Sequence, residues 1–183
     1  MKTSFLLSSA ALLASVSACS MSGESPSPAA SGGMPTAKAT LLDATGASRG
    51  TAQIVQSAEG LKVSINATGL TPGVHAAHVH MTGACTAPDF ASAGGHWNPT
   101  ARQHGMQNPM GSHMGDMPNM TVGADGRGSL SYTIPGATLA SGTTPLLDTD
   151  GAAVVVHADP DDYKSDPAGK AGGRIACGVV TPS

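Results

Sequence analysis

Histidine is the residue type whose spacing first asks for a chemical explanation. All seven histidines of the chain fall between His75 and His157, and two of them form the triplet His78-Val79-His80. In a strand, residues i and i+2 project from the same face, so both imidazoles can reach one metal ion. The stretch that follows adds His96, His104 and His113, with Asp116 three residues after the last of these. His157 closes the apolar run Ala152-Ala153-Val154-Val155-Val156. Imidazole suits copper and zinc, and a carboxylate oxygen completes a tetrahedral zinc site. One His-x-His pair is a weak signal, and a single histidine at a strand end is ordinarily structural. Six histidines and one carboxylate, spread over two strands and a loop, point to a metal centre.

Short strands must position these groups. Thr51–Gln56 and Leu61–Asn66 flank Ser57-Ala58-Glu59-Gly60, a hairpin signal. Leu61, Val63 and Ile65 alternate with polar residues, as a half-buried strand requires. Further strands are expected at Thr40–Asp43, Val74–His80, Ser129–Ile134, Ala153–His157 and Arg174–Val180, with a turn over Ala124-Asp125-Gly126-Arg127-Gly128. Long Gly/Pro-rich stretches without periodicity separate Met81 from Asn119 and Ala158 from Gly173. Loops of that length in a compact domain are usually functional or disordered, and most of the histidines sit in or beside them. Charged residues make up 11% of the chain, with 24 Gly and 13 Pro, against roughly 25% charged in an ordinary soluble domain. That composition excludes a helical bundle. A formal charge of −3 argues against a nucleic-acid partner.

The N-terminus reads as an export signal. Met1–Lys2 gives a short positive end, Phe5–Val16 an apolar stretch, and Val16-Ser17-Ala18-Cys19 a small-residue cleavage site. These last four residues resemble the bacterial lipobox, whose cysteine becomes the lipidated first residue of the mature protein. An ordinary signal peptide with an incidental Cys19 is the competing reading. The expected organisation is a signal over residues 1–18, lipidated Cys19 and a flexible Ser/Gly/Pro tether over 19–36, and a folded domain over 37–183. The expected location is the bacterial cell envelope, with the domain in the periplasm and membrane contact only through the lipid. Cys85 and Cys177 remain as an even pair in an oxidising compartment, 92 positions apart. A bridge and two buried thiols both fit that arithmetic.

Taken in order, the segments Gly73-Val74-His75-Ala76-Ala77-His78-Val79-His80, Gly94-Gly95-His96-Trp97-Asn98-Pro99, His104-Gly105, His113-Met114-Gly115-Asp116, Val156-His157 and Gly173-Arg174-Ile175-Ala176-Cys177-Gly178 resemble copper–zinc superoxide dismutase of the bacterial periplasmic type. The resemblance covers residues 37–181. It implies an all-β fold: a Greek-key β-barrel or sandwich of about eight antiparallel strands, with long metal-binding and channel loops. It implies one copper and one zinc per chain, with His78, His80, His96 and His157 on copper and His96, His104, His113 and Asp116 on zinc. His96 would bridge the two ions as an imidazolate and carry a proton in the reaction. A Cys85–Cys177 disulfide is implied, as is a role for Arg174 in guiding superoxide and holding it beside copper. Asp161 would accept N–H bonds from one copper histidine and one zinc histidine, and His75 would tie strands together.

The implied reaction converts superoxide to oxygen and hydrogen peroxide. Lys170 is either a second steering cation or a solvated surface charge. Trp97 stands where relatives more often have Phe, and Ala168 where many have Thr. Met106, Met110, Met114, Met117 and Met120 are flexible apolar filling or, on a sharper reading, sulfurs that assist copper(I) capture or absorb oxidation. The alternative function is a non-catalytic copper/zinc-binding envelope lipoprotein on the same fold. Such a protein would be expected to lack a copper ligand or the channel arginine. Monomer and homodimer are both open.

Overall fold

A computed structural model describes residues 34–183. The signal segment, Cys19 and most of the tether lie outside the described residues. Alternation in the sequence becomes alternation in burial. The strand β3 (Gly60–Ala67) buries Leu61, Val63 and Ile65 and exposes Lys62 and Asn66. It forms the expected hairpin with β2 (Ser48–Gln56), Gln56 pairing with Leu61. β1 (Thr36–Leu42) begins four residues before the expected Thr40 start and runs antiparallel to β2.

The remaining strands are β4 (Gly73–His75), β5 (Ala77–His80), β6 (Met120–Val122), β7 (Gly128–Pro135), β8 (Ala153–His157), β9 (Arg174–Val179) and β10 (Thr181–Pro182). The short β6 is absent from the sequence reading, because three residues are too few to show a period. Among the described residues the helical content is a single 3-10 turn, Ala91–Ala93.

All strand pairings are antiparallel, in the order β4-β6-β7-β3-β2-β1-β9-β8-β5, with β10 beside β1. β3 pairs with β7 and β1 with β9 across long connections, which is Greek-key wiring. The terminal strands of this order, β4 and β5, are separated in sequence only by Ala76. The first half of residues 73–80 therefore pairs with β6 and the second half with β8, closing the sheet into a barrel. Joined across Ala76 and Val180, the ten elements count as eight strands, the number the resemblance implies, with β6 the one that the sequence reading did not place.

The interior is apolar and includes Leu41, Ile54, Leu61, Val63, Ile65, Val154 and Val156. Fully burying each such side chain contributes about 1.5–3 kcal/mol. β8 is buried on both faces, which explains its unbroken apolar run. Val154 and Val156 face the interior, while Ala153 and Val155 pack outside it against Phe90, Ala93 and Cys177. β5 divides differently. Ala77 and Val79 enter the core, and His78 and His80 leave by the opposite face.

Candidate metal centre

β5 is the ruler on which the site is laid out. His78 lies opposite Val155 of β8, and His157 ends β8 with its backbone N–H bonded to the Ala76 carbonyl at 2.9 Å. The 81–119 loop folds back along β5. Trp97 N–H donates to the Val79 carbonyl (2.8 Å), Val79 N–H to Gly115 (2.9 Å) and Met81 N–H to Gly95 (3.0 Å). These bonds set His96 beside His80 and Asp116 beside His78. A β-carbon at Gly115 would collide with the Val79 carbonyl oxygen, so only glycine allows this approach.

Four imidazoles form the first group. His78, His80, His96 and His157 are buried, and one ring nitrogen from each lies within 4.8 Å of the others. Their second nitrogens are occupied. His78 Nε2 is 3.0 Å from Asp161 Oδ2, His80 Nδ1 donates to the Gly94 carbonyl (3.0 Å), and His157 Nδ1 donates to Gly172 (3.3 Å). That leaves His78 Nδ1 and the Nε2 atoms of His80, His96 and His157 buried without a hydrogen-bond partner. Each such orphan costs about 1–3 kcal/mol, so four converging in one place fit a bound cation. Burial, reinforced by neighbouring His96, pushes the His80 imidazolium down to about 2. Burial likewise lowers His157 to about 3, with His78 adding repulsion. His96 falls to about 4 by burial, against the opposing pull of Asp116. These three rings are neutral and present lone pairs, the form a metal requires.

The second group shares His96. The Nδ1 atoms of His96, His104 and His113 lie 2.9, 3.0 and 3.4 Å from the single oxygen Asp116 Oδ1. His96 and His113 Nδ1 are themselves 3.4 Å apart. Ligands about 2.0–2.1 Å from a tetrahedral zinc ion are separated by roughly 3.3 Å along each edge, so the set is nearly at ligation spacing. Asp116 Oδ2 is pinned by the backbone N–H groups of Gly105 (2.9 Å) and His113 (3.1 Å). Burial works against ionising Asp116, yet hydrogen bonds from His104, His113 and His96 hold its carboxyl well below the usual range.

Asp161 joins the groups from behind. Its Oδ2 meets His78 Nε2, and its Oδ1 meets His104 Nε2 at 2.9 Å. Burial would lower His104, but its bonds to Asp116 and Asp161 carry it up to about 9. Asp161 is held by residues that carried no sequence signal. Asn119 Oδ1 accepts its backbone N–H (2.8 Å), Asn119 Nδ2 donates to its carbonyl (2.9 Å), and Tyr163 N–H bonds Oδ1 (2.7 Å). Asp166 Oδ1 accepts the His104 backbone N–H at 2.6 Å. A β-carbon on Gly169, where φ is +64°, would strike Asp161 Oδ1 and come within 2.6 Å of His104 Nε2. His75 stands apart, its ring nitrogens 2.8 Å from the carbonyls of His157 and Thr71.

A cleft of about 670 Å³ opens over the first group, lined by His80, His96, His157, Arg174, Ala168 and Met81 among others. Arg174 donates from Nη1 to the Phe90 carbonyl and from Nη2 to the Gly94 carbonyl, both at 2.6 Å. Phe90 and Gly94 follow Cys85, which is bridged to Cys177 with a Cα–Cα distance of 5.7 Å. Lys170 is not in the cleft; it faces Asp162 at 3.7 Å on the surface. Trp97 is buried in the barrel core.

The family model for copper/zinc superoxide dismutase matches residues 48–180. The chain is 44% identical over 146 residues to a copper–zinc superoxide dismutase of Aquifex aeolicus, covering 79% of this chain and 85% of that one. It is 42% identical over 147 residues to the copper–zinc superoxide dismutase of Caulobacter vibrioides, covering 79% and 84%. The crystal structure of a superoxide-dismutase-like protein from Bacillus subtilis superposes with a TM-score of 0.74 at 41% identity, covering 78% of this chain and 96% of that one.

Proposed function

The chain belongs to the copper/zinc superoxide dismutase family, and from that membership we propose that it converts superoxide to oxygen and hydrogen peroxide in the bacterial cell envelope. The observation that carries the reading is the set of four buried, unpartnered ring nitrogens facing one another beneath Arg174. His78, His80, His96 and His157 would hold copper; His96, His104, His113 and Asp116 would hold zinc. Copper supplies a one-electron couple, and zinc supplies charge without redox chemistry.

The protein's own residues do the rest. The Arg174 guanidinium, with two nitrogens fixed to loop carbonyls, presents its charge to the cleft and orients the superoxide anion. His96 turns its unpartnered Nε2 to the first group and Nδ1 toward Asp116 of the second, so its ring would serve both ions and could carry at Nε2 one of the protons the product requires. Asp161 fixes the ring orientations of His78 and His104. Two superoxide anions and two protons leave as one oxygen and one hydrogen peroxide.

Superoxide decay measured with protein holding one copper and one zinc per chain tests the activity. A fast, protein-dependent decay is expected, and none would sink the enzyme reading. The second reading, a non-catalytic copper/zinc-binding envelope protein, draws on the similarity to a protein described only as dismutase-like, and metal-replete protein without activity would favour it. The envelope location is supported by Met1–Lys2, the apolar Phe5–Val16 and Cys19, and by a disulfide suited to an oxidising compartment. Cys19→Ser is expected to move the protein from the membrane fraction to the soluble one, and an unchanged distribution would remove the lipid anchor.

A further inference from the structure

Sulfur near the copper cleft is not where the methionine-rich loop suggests. Met117 and Met120 are fully buried in the barrel core, and Met114 packs against it. Met106 and Met110 are exposed, and none of these five lines the cleft. Met81 does, directly after the His78-Val79-His80 triplet, with 47% of its surface exposed. It lies over Gly94 and Gly95. A β-carbon on Gly94 would stand 3.0 Å from Met81 Cγ and 3.6 Å from its sulfur, and one on Gly95 would stand 4.0 Å from that sulfur. The Gly94 carbonyl is the one that receives both His80 Nδ1 and Arg174 Nη2. An open thioether therefore rests on the peptide that fixes a proposed copper ligand and the arginine.

We propose that Met81 is a sacrificial oxidation site at the mouth of the cleft, consuming peroxide-derived oxidant before the histidines do. The proposal rests on the copper assignment above. The oxidant is the reaction's own product. The peroxide O–O bond breaks, one oxygen forms the S=O bond of methionine sulfoxide, the sulfur gives up two electrons, and the other oxygen leaves with both protons as water. Methionine sulfoxide can be reduced enzymatically, so damage at Met81 is recoverable.

The test is peptide mass spectrometry after hydrogen peroxide treatment of copper–zinc protein and of protein loaded with zinc alone. Met81 is expected to form sulfoxide several-fold faster than Met110, which is 62% exposed, in the copper–zinc protein, and to lose that lead in the zinc-only protein. Oxidation that follows exposure in both forms, with Met110 ahead of Met81, would overturn the proposal. Met81→Leu supplies the second measurement. Oxidised histidine at His80 or His96 and copper release should both rise several-fold in the copper–zinc form, and unchanged histidine damage would make Met81 a bystander. Superoxide decay of the untreated sample keeps the two readings apart. Inactive copper–zinc protein counts against the dismutase assignment, whereas active protein with Met81 oxidised last counts against this one.

Discussion

On one face of β5, Ala77 and Val79 are sealed into an apolar core; on the other, His78 and His80 are equally buried but end in nitrogens with no partner. The two faces are one peptide apart and are stabilised by different means. The core closes on itself, because every strand finds an antiparallel neighbour and every inward side chain finds apolar contact. The histidine face is completed only by ions, and without them it holds buried donors and acceptors at a cost. A fold that carries such a cost on one face needs surplus stability from the other.

Exchanging a residue on each face should therefore give opposite phenotypes, and the largest effect is expected from His78→Ala. Superoxide decay should fall to background and copper content toward zero, with zinc retained, because His78 belongs to the first group alone. Zinc loss with copper retained, measured by elemental analysis, would invert the ligand sets. Cys85→Ser acts on the seam between the faces. Opening a loop with a sequence separation of 92 should cost about 4–5 kcal/mol in the chain-entropy account, read from denaturant unfolding. It should also lower activity, since the carbonyls that hold Arg174 belong to the tethered loop. Full activity per bound copper would mean that the barrel alone positions the arginine. Leu61→Ala completes the contrast, with a loss of about 2–5 kcal/mol and metal stoichiometry unchanged in the protein that remains folded.

The same division decided what could be read in advance. Period-two burial in β3 and the apolar run of β8 are local consequences of facing a core, so Leu61–Asn66 and Ala153–His157 were visible as strands. The ligating residue types were visible because few other roles gather six histidines and an aspartate. The supports were not. Asn119 holds Asp161 across 42 positions through backbone atoms, Gly169 is required only because Asp161 lies behind it, and Gly94 acts through its carbonyl. Such roles depend on tertiary approach and leave no period or motif. Lys170 shows the converse, since nearness to Arg174 in sequence does not bring it to the cleft.

Asp43 offers the smallest and most selective test, because it is a carboxylate that the barrel satisfies without any metal. It sits in the turn between β1 and β2, where the Thr45 hydroxyl bonds Oδ1 at 2.7 Å and Arg49 Nε bonds Oδ2 at 2.8 Å. Bonds from Thr45 and Arg49 hold its carboxyl well below the usual aspartate range. Because the folded value is depressed, the stabilisation is present above the unfolded value near 3.9 and fades as pH falls toward the folded one. Asp43→Asn in metal-free protein should lower the thermal midpoint slightly at neutral pH, and the gap from wild type should narrow below about pH 4. A gap that widens with acid would mean that the charge of Asp43 does not favour the fold. Copper content and superoxide decay of the metal-loaded variant should match wild type, since Asp43 lies outside both ligand groups, whereas Asp116 gathers three imidazoles of the second group around one oxygen.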